Sequence, residues 1–169
     1  MDGEATNPFL DDVLAGLSAR PKAIPSRWLY DARGSQLFDE ITELDEYYPT
    51  RTELKILTGQ ARDMANAIGP DAVIVEYGAG SLMKVRILLD ALEAPRAFVP
   101  VDISSEHLEA SANELRAFYP DLDIYPVASD FMASNLGASL PEGGRRRAGF
   151  FPGSTMGNLL DREIDRFLK

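Results

Sequence analysis

At 169 residues, with 45% apolar and 26% charged side chains, the chain has the make-up of an ordinary soluble domain long enough to bury a core. The absence of cysteine excludes disulfides and thiolate metal sites, and no run approaches the ~18 apolar residues of a membrane span. A net charge of -10 disfavours nucleic acid and anionic lipid as partners, and the acidic start with Asp2 and Glu4 is no signal peptide, so the expected address is cytoplasmic.

The first part of the chain reads as helical. Leu10, Val13, Leu14 and Leu17 recur at helical spacing until Pro21 and Pro25 break the pattern. Leu37, Phe38, Ile41 and Leu44 mark a second, shorter helix. The third is the best marked: Thr50 to Glu53 has the form of a capping box behind Pro49, and Leu54, Leu57, Ala61, Met64, Ala65 and Ile68 follow as one stripe.

From residue 72 the rhythm changes to strands alternating with helices. Ala72 to Val75 is a β-branched run ending in Glu76 and a glycine loop, the pattern of a strand buried on both faces. A helix with Leu82, Val85, Leu88, Leu89 and Leu92 on one face follows. Ala97 to Val101 is the next strand, closing on Asp102, and Ser104 or Ser105 caps a helix whose stripe is Leu108, Ala112, Leu115 and Phe118. Ile124 to Val127 and a segment beginning at Gly149-Phe150-Phe151 are further strands, although Pro100 and Pro126 argue against central positions. Arg145-Arg146-Arg147 is either an anion contact or, as favoured here, a solvated loop before the last strand.

This alternation predicts an α/β doubly wound sheet: a Rossmann-like core over residues 71–169 behind a helical segment over residues 1–70. Asp161 to Lys169 starts an amphipathic helix with Ile164, Phe167 and Leu168 apolar. About four strands are read where such sheets hold about six or seven. The chain is therefore expected to be a shortened form, whose exposed sheet edge is a route to a homo-oligomer.

The chemistry concentrates at the strand ends. Glu76-Tyr77-Gly78-Ala79-Gly80, between a strand and a helix, places a tight turn at the carboxyl edge of the sheet, where open α/β sheets bind ligands. Asp102, ending the next strand, is placed to accept both ribose hydroxyls of an adenosine. The dinucleotide fingerprint requires a third glycine where this chain has Met83, and Glu76 would repel a pyrophosphate. S-adenosyl-L-methionine (SAM) has no phosphate and carries an ammonium and a sulfonium, so SAM is favoured over NAD.

Lys84 is either the partner of the methionine carboxylate or a solvated helix residue. Asp130-Phe131 either holds the adenine or caps a helix. Pro152 to Asn158, with two glycines and two hydroxyls at a strand end, suits close contact with a substrate, Asn158 meeting an amino-acid head group. Aromatic and charged residues around Trp28 to Asp31 and Glu46 to Arg51 suggest a lid, or a plug against the sheet. His107 is the one histidine; no metal site or serine triad is expected, and His107 is read as a surface residue.

Pro25 to Phe38, with its Trp28-Leu29-Tyr30-Asp31-Ala32-Arg33-Gly34-Ser35, and Ile41 to Arg51, with Tyr47-Tyr48-Pro49-Thr50-Arg51, closely resemble the histidine-specific SAM-dependent methyltransferase family of ergothioneine biosynthesis. The glycine loop with Lys84, Asp102, Asp130-Phe131 and Gly153-Ser154-Thr155-Met156-Gly157-Asn158 match it in order, so the resemblance runs from about residue 20 to the end. It implies that Gly78, Gly80, Lys84, Asp102, Asp130 and Phe131 hold SAM. It further implies that Tyr47 and Asn158 hold the substrate amino acid, histidine, with Tyr30 near its amino group. In the family further histidine contacts come from a C-terminal half. Direct methyl transfer to the α-amino nitrogen is the implied reaction, with no residue standing out as a catalytic base. The alternative is a non-catalytic SAM-binding or scaffold module.

Overall fold

The computed structural model describes residues 7–80, 82–133, 136–141 and 146–169. Helix α1 (Pro8–Ser18) starts where Asn7 Oδ1 accepts the Leu10 N–H at 3.2 Å and Pro8 opens the first turn. A 3-10 turn (Ser26–Leu29) leads to α2 (Ala32–Thr42), capped by Asp31 Oδ1 on the Gly34 N–H at 2.7 Å. Helix α3 (Tyr48–Ile68) begins earlier than the sequence predicts. Its N-cap is Tyr47, which makes no side-chain cap bond, and Pro49 sits in the first turn. The capping box at Thr50 and Glu53 does not form, because both residues already lie inside the helix and Glu53 is bound elsewhere.

Strand β1 (Ala72–Tyr77) is the centre of an all-parallel sheet. Helix α4 (Met83–Leu89) returns the chain to β2 (Ala97–Asp102), and α5 (Ser105–Phe118) leads to β3 (Asp123–Ile124) and β4 (Val127–Ala128). Strand β5 (Arg146–Phe150) then pairs with the other side of β1, so the order is β3-β2-β1-β5 with β4 continuing along β2. This is the Rossmann-like arrangement expected from the sequence, and its order reverses between β1 and β5, at the point where such sheets bind ligands.

The two prolines are accommodated in one place. Phe98 O accepts the Tyr125 N–H at 2.9 Å and Asp102 O accepts the Ser129 N–H at 2.9 Å, so Pro100 faces the same neighbour halfway between them. A rung that Pro100 cannot donate is missing there, and the strand predicted over Ile124 to Val127 is split into β3 and β4.

Alternate residues of the strands feed two apolar layers. Ala72, Ile74 and Phe98 pack with Val85, Leu88, Leu108, Ala112 and Leu115 from α4 and α5, with Met64 and Ile68 of α3 against them. Val73, Val75, Val99 and Val101 form the opposite layer with Leu136, joined by Tyr77 and Phe131. Both faces of β1 and β2 are therefore buried, as their unbroken apolar runs predict.

Three smaller expectations are corrected. Phe118 is exposed rather than part of the α5 stripe, and the Arg86 guanidinium lies 4.0 Å from its ring centre. Ser104 takes the N-cap position of α5 but makes no side-chain cap bond. Arg146 and Arg147 open β5 rather than a loop, and donate to the carbonyls of Ala67 and Pro141 at 3.1 and 3.2 Å. Gly143, Gly144 and Arg145 lie outside the described residues. Helix α6 (Asp161–Phe167) closes the chain, its Phe167 packing against Tyr77, Phe131 and Phe151 at ring separations of 4.8 to 5.8 Å. Among the described residues no helix is long and apolar enough to cross a membrane.

Candidate functional site

A cleft of about 1570 Å³ runs between the front helices and the carboxyl edge of the sheet. Tyr30, Gly78, Gly80, Lys84, Asp102, Asp130, Phe131 and Asn158 all line it. Tyr47 does not reach its wall; the ring stands edge-on behind Phe38, a lining residue, at 6.1 Å between centres. The structure thus gathers residues separated by up to 128 positions, and Asn158 Nδ2 donates to the Tyr30 hydroxyl at 3.4 Å.

The glycine loop is a tight turn at the sheet edge, closed onto the neighbouring strand. Gly78 has φ +71°, which a residue with a Cβ rarely adopts, so the turn at this position demands glycine. The N–H groups of Gly78 and Ala79 are not offered to a ligand but donate to Val101 O at 2.9 and 3.0 Å. The loop is pinned to the end of β2, next to Asp102. His107 is exposed, as expected, but its Nε2 lies 3.1 Å from Gly80 O and braces the far side of the loop.

Asp102 is half-buried, and Ser104 N–H donates to its Oδ1 at 2.9 Å. Burial raises its carboxyl above the usual range, while the backbone donor at Ser104 and nearby His107 pull it down. Asp130 Oδ1 accepts the Met132 N–H at 2.8 Å, so it does hold the turn after β4 as well as lining the cleft. Its Oδ2 stands 3.8 Å from the Arg27 guanidinium. Phe131 lines the cleft while packing on Phe151 and Phe167 at 5.2 and 5.8 Å.

Glu76 is the unusual group. It is 1% exposed at the end of β1, and its Oε2 has no hydrogen-bond partner among the described residues. Burial pushes its pKa up to about 8, with Lys84 lowering it and Asp102 raising it further. A buried polar atom without a partner is rare in a folded protein and marks a place for a ligand or water. Lys84 itself is paired: its Nζ lies 2.6 Å from Glu53 Oε2. Sequence reasoning missed Glu53, because its spacing from Thr50 matched a capping box.

The profile described as histidine-specific methyltransferase, SAM-dependent, matches residues 9–169. The chain is 45% identical over 160 residues to histidine N-alpha-methyltransferase of Mycolicibacterium smegmatis, covering 93% of this chain and 49% of that protein. It is 35% identical over 153 residues to ergothioneine biosynthesis protein 1 of Neurospora crassa, covering 88% of this chain and 17% of that protein. A candidate S-adenosyl-L-methionine-dependent methyltransferase of known structure from Methanococcus maripaludis shares the fold, with a TM-score of 0.50 at 20% identity. That likeness covers 82% of this chain and 59% of the other. The chain spans about half the length of the M. smegmatis relative.

Proposed function

The chain belongs to the histidine-specific, SAM-dependent methyltransferase family, and on that premise we propose that it serves methylation of the α-amino nitrogen of histidine. In this reading it holds the cofactor and one side of the acceptor pocket. The observation that carries the proposal is the buried Oε2 of Glu76, without a partner among the described residues, at the edge of a cleft that Lys84 and Asp102 also line. Two acids and a lysine suit an ammonium, a ribose and a carboxylate, which are the groups of SAM.

Glu76 would accept from the cofactor's ammonium, a bond made stronger by its dry surroundings. Asp102 would take the ribose hydroxyls, Lys84 the carboxylate, and Asp130 with Phe131 the adenine. Gly78 and Gly80 keep the loop thin enough for close approach. SAM supplies an electrophilic methyl group on a sulfonium.

On the acceptor side, Asn158 Oδ1 and the Tyr30 oxygen are both hydrogen-bond acceptors, the set that suits the N–H groups of an amine. Holding those hydrogens turns the nitrogen lone pair toward the reacting carbon. Orientation of this kind supplies up to ~7–11 kcal/mol in favourable cases. The amine must be neutral to attack, and burial beside a positive sulfonium disfavours its ammonium form. Tyr47 belongs to this side of the pocket through Phe38, and the front helices act as its lid.

A second reading, a SAM-binding module without turnover, is favoured by Tyr47, which stands behind Phe38 and does not line the cleft. Isothermal titration with SAM and with histidine, followed by a methyl-transfer assay, separates the two. Turnover supports the enzyme, and SAM binding alone supports the module. Asp102→Ala is expected to weaken SAM about a hundredfold, since it removes charged hydrogen bonds to two hydroxyls. Unchanged affinity in that variant would overturn both readings.

A further inference from the structure

Glu53 is the link between parts of the cleft that are far apart in the chain. It lies in the second turn of α3, the helix that Tyr47 caps, yet it does nothing for the helix end. One carboxylate oxygen holds Lys84 Nζ on α4 at 2.6 Å, and the other accepts the N–H of Gly153. Gly153 has φ +83° and begins the loop that ends at Asn158. A Cβ at Gly153 would stand 3.5 Å from Lys84 Nζ, so the loop and the lysine are already in near contact around this carboxylate. Glu53 and Lys84 are 27% and 20% exposed, so both are mostly sheltered from solvent.

We propose that Glu53 is a positioning residue that couples the cofactor site to the acceptor site, setting Lys84 with one oxygen and the Gly153–Asn158 loop with the other. The proposal rests on the function given above and deepens it. Lys84 has three N–H donors. Glu53 occupies one and aims the others, so that a ligand carboxylate meets an ammonium already held in place. The same side chain holds the backbone that carries Asn158. A shift at Lys84 is therefore transmitted to the acceptor loop through a single carboxylate rather than through the sheet.

The two arms can be cut separately. In Glu53→Gln the amide oxygen still accepts from Gly153, but the charge that attracts Lys84 is gone. Glu53→Ala removes both arms, and Glu53→Asp keeps the charge on a shorter stem. Glu53→Gln is expected to weaken SAM about tenfold in isothermal titration while leaving the KM for histidine within about twofold. Glu53→Ala is expected to weaken SAM similarly and also to raise the KM for histidine about tenfold. Glu53→Asp should recover most of the SAM affinity. In amide NMR spectra, the Gly153 proton should stay downfield in wild type and Glu53→Gln and move upfield in Glu53→Ala.

An ion pair that merely fastens α3 to α4 would lower the melting temperature of the variants and leave SAM affinity and KM near wild type; that result overturns the proposal. So does an unmoved Gly153 amide in Glu53→Ala. If the wild-type protein neither binds SAM nor methylates histidine, the proposed function fails, and the Gly153 resonance in the three proteins still decides whether Glu53 ties the loop. Should Glu53→Ala not fold, the contrast between Glu53→Gln and Glu53→Asp in SAM affinity decides the Lys84 arm.

Discussion

Helices α1 and α2 and the sheet are built from equally clear apolar patterns, but they pack in opposite ways. In β1 and β2, Val73, Ile74, Phe98 and Val99 are completely buried. In α1, the stripe that periodicity picks out remains half in solvent, with Leu10 at 50% and Leu14 at 58% exposure. The front is held by edge-on ring contacts, Phe9 on Trp28 and Phe38 on Tyr47, and by polar links. Asp12 accepts from the Trp28 indole at 2.8 Å and from Arg27, and Arg51 donates to the carbonyls of Leu44 and Asp45. A period of 3.6 identifies an apolar face but says nothing about what covers it. The difference divides the site too: Gly78, Gly80 and Asp102 lie at the ends of the buried strands β1 and β2, while Tyr30 and Tyr47 come from the less covered front.

Substitutions can break that contrast or sharpen it. The largest effect is expected from Phe98→Ala, which leaves a hole between β2 and α5 and should cost about 3–5 kcal/mol in urea unfolding. Next is Glu76, whose folded form keeps a proton up to a pKa of about 8 that the unfolded chain releases near 4.5. Between those values the folded state binds more protons, so stability is greatest at the acid end and falls as pH rises toward 8. Glu76→Gln should flatten that slope and be more stable at pH 8 by roughly a few kcal/mol, while binding SAM less well. Denaturation curves at pH 5 and pH 8 check the sign, and a wild-type stability that rises across the window would refute the buried acid.

Asn158→Ala should act on the acceptor side alone, raising the KM for histidine about tenfold while SAM affinity in titration stays within about twofold. Equal losses for both ligands would mean that the two halves of the cleft are not separate. The smallest change is expected at Leu14→Ala, within about 0.5 kcal/mol of wild type because its side chain is already wet. A loss comparable with that of Phe98→Ala would show that the α1 face is covered in solution.

Much of the site was legible because strand ends announce it. Glu76, the Gly78 turn and Asp102 each follow an apolar strand, and a parallel sheet brings such ends to one edge whatever the loops do. Glu53 was not legible, because a glutamate three residues after a threonine matches a capping box, and local spacing cannot reveal a partner 100 residues away. The bonds made by the Gly78 and Ala79 N–H groups were hidden for the same reason, since their acceptor, Val101, lies on the neighbouring strand. Pro100 argued against a central strand until the gap between β3 and β4 showed where its missing donor falls.

By itself the sequence determined the alternation of strands and helices, the two-sided burial of β1 and β2, and the residue types gathered at their ends. Those follow from periodicity and turn chemistry, which act over a few residues. Only the tertiary structure decided that Glu53 answers Lys84, that Tyr30 meets Asn158, and that Glu76 keeps an oxygen without a partner among the described residues. Such pairings depend on which strand lies beside which, and that order is set by the packing of whole layers rather than by any local stretch of chain.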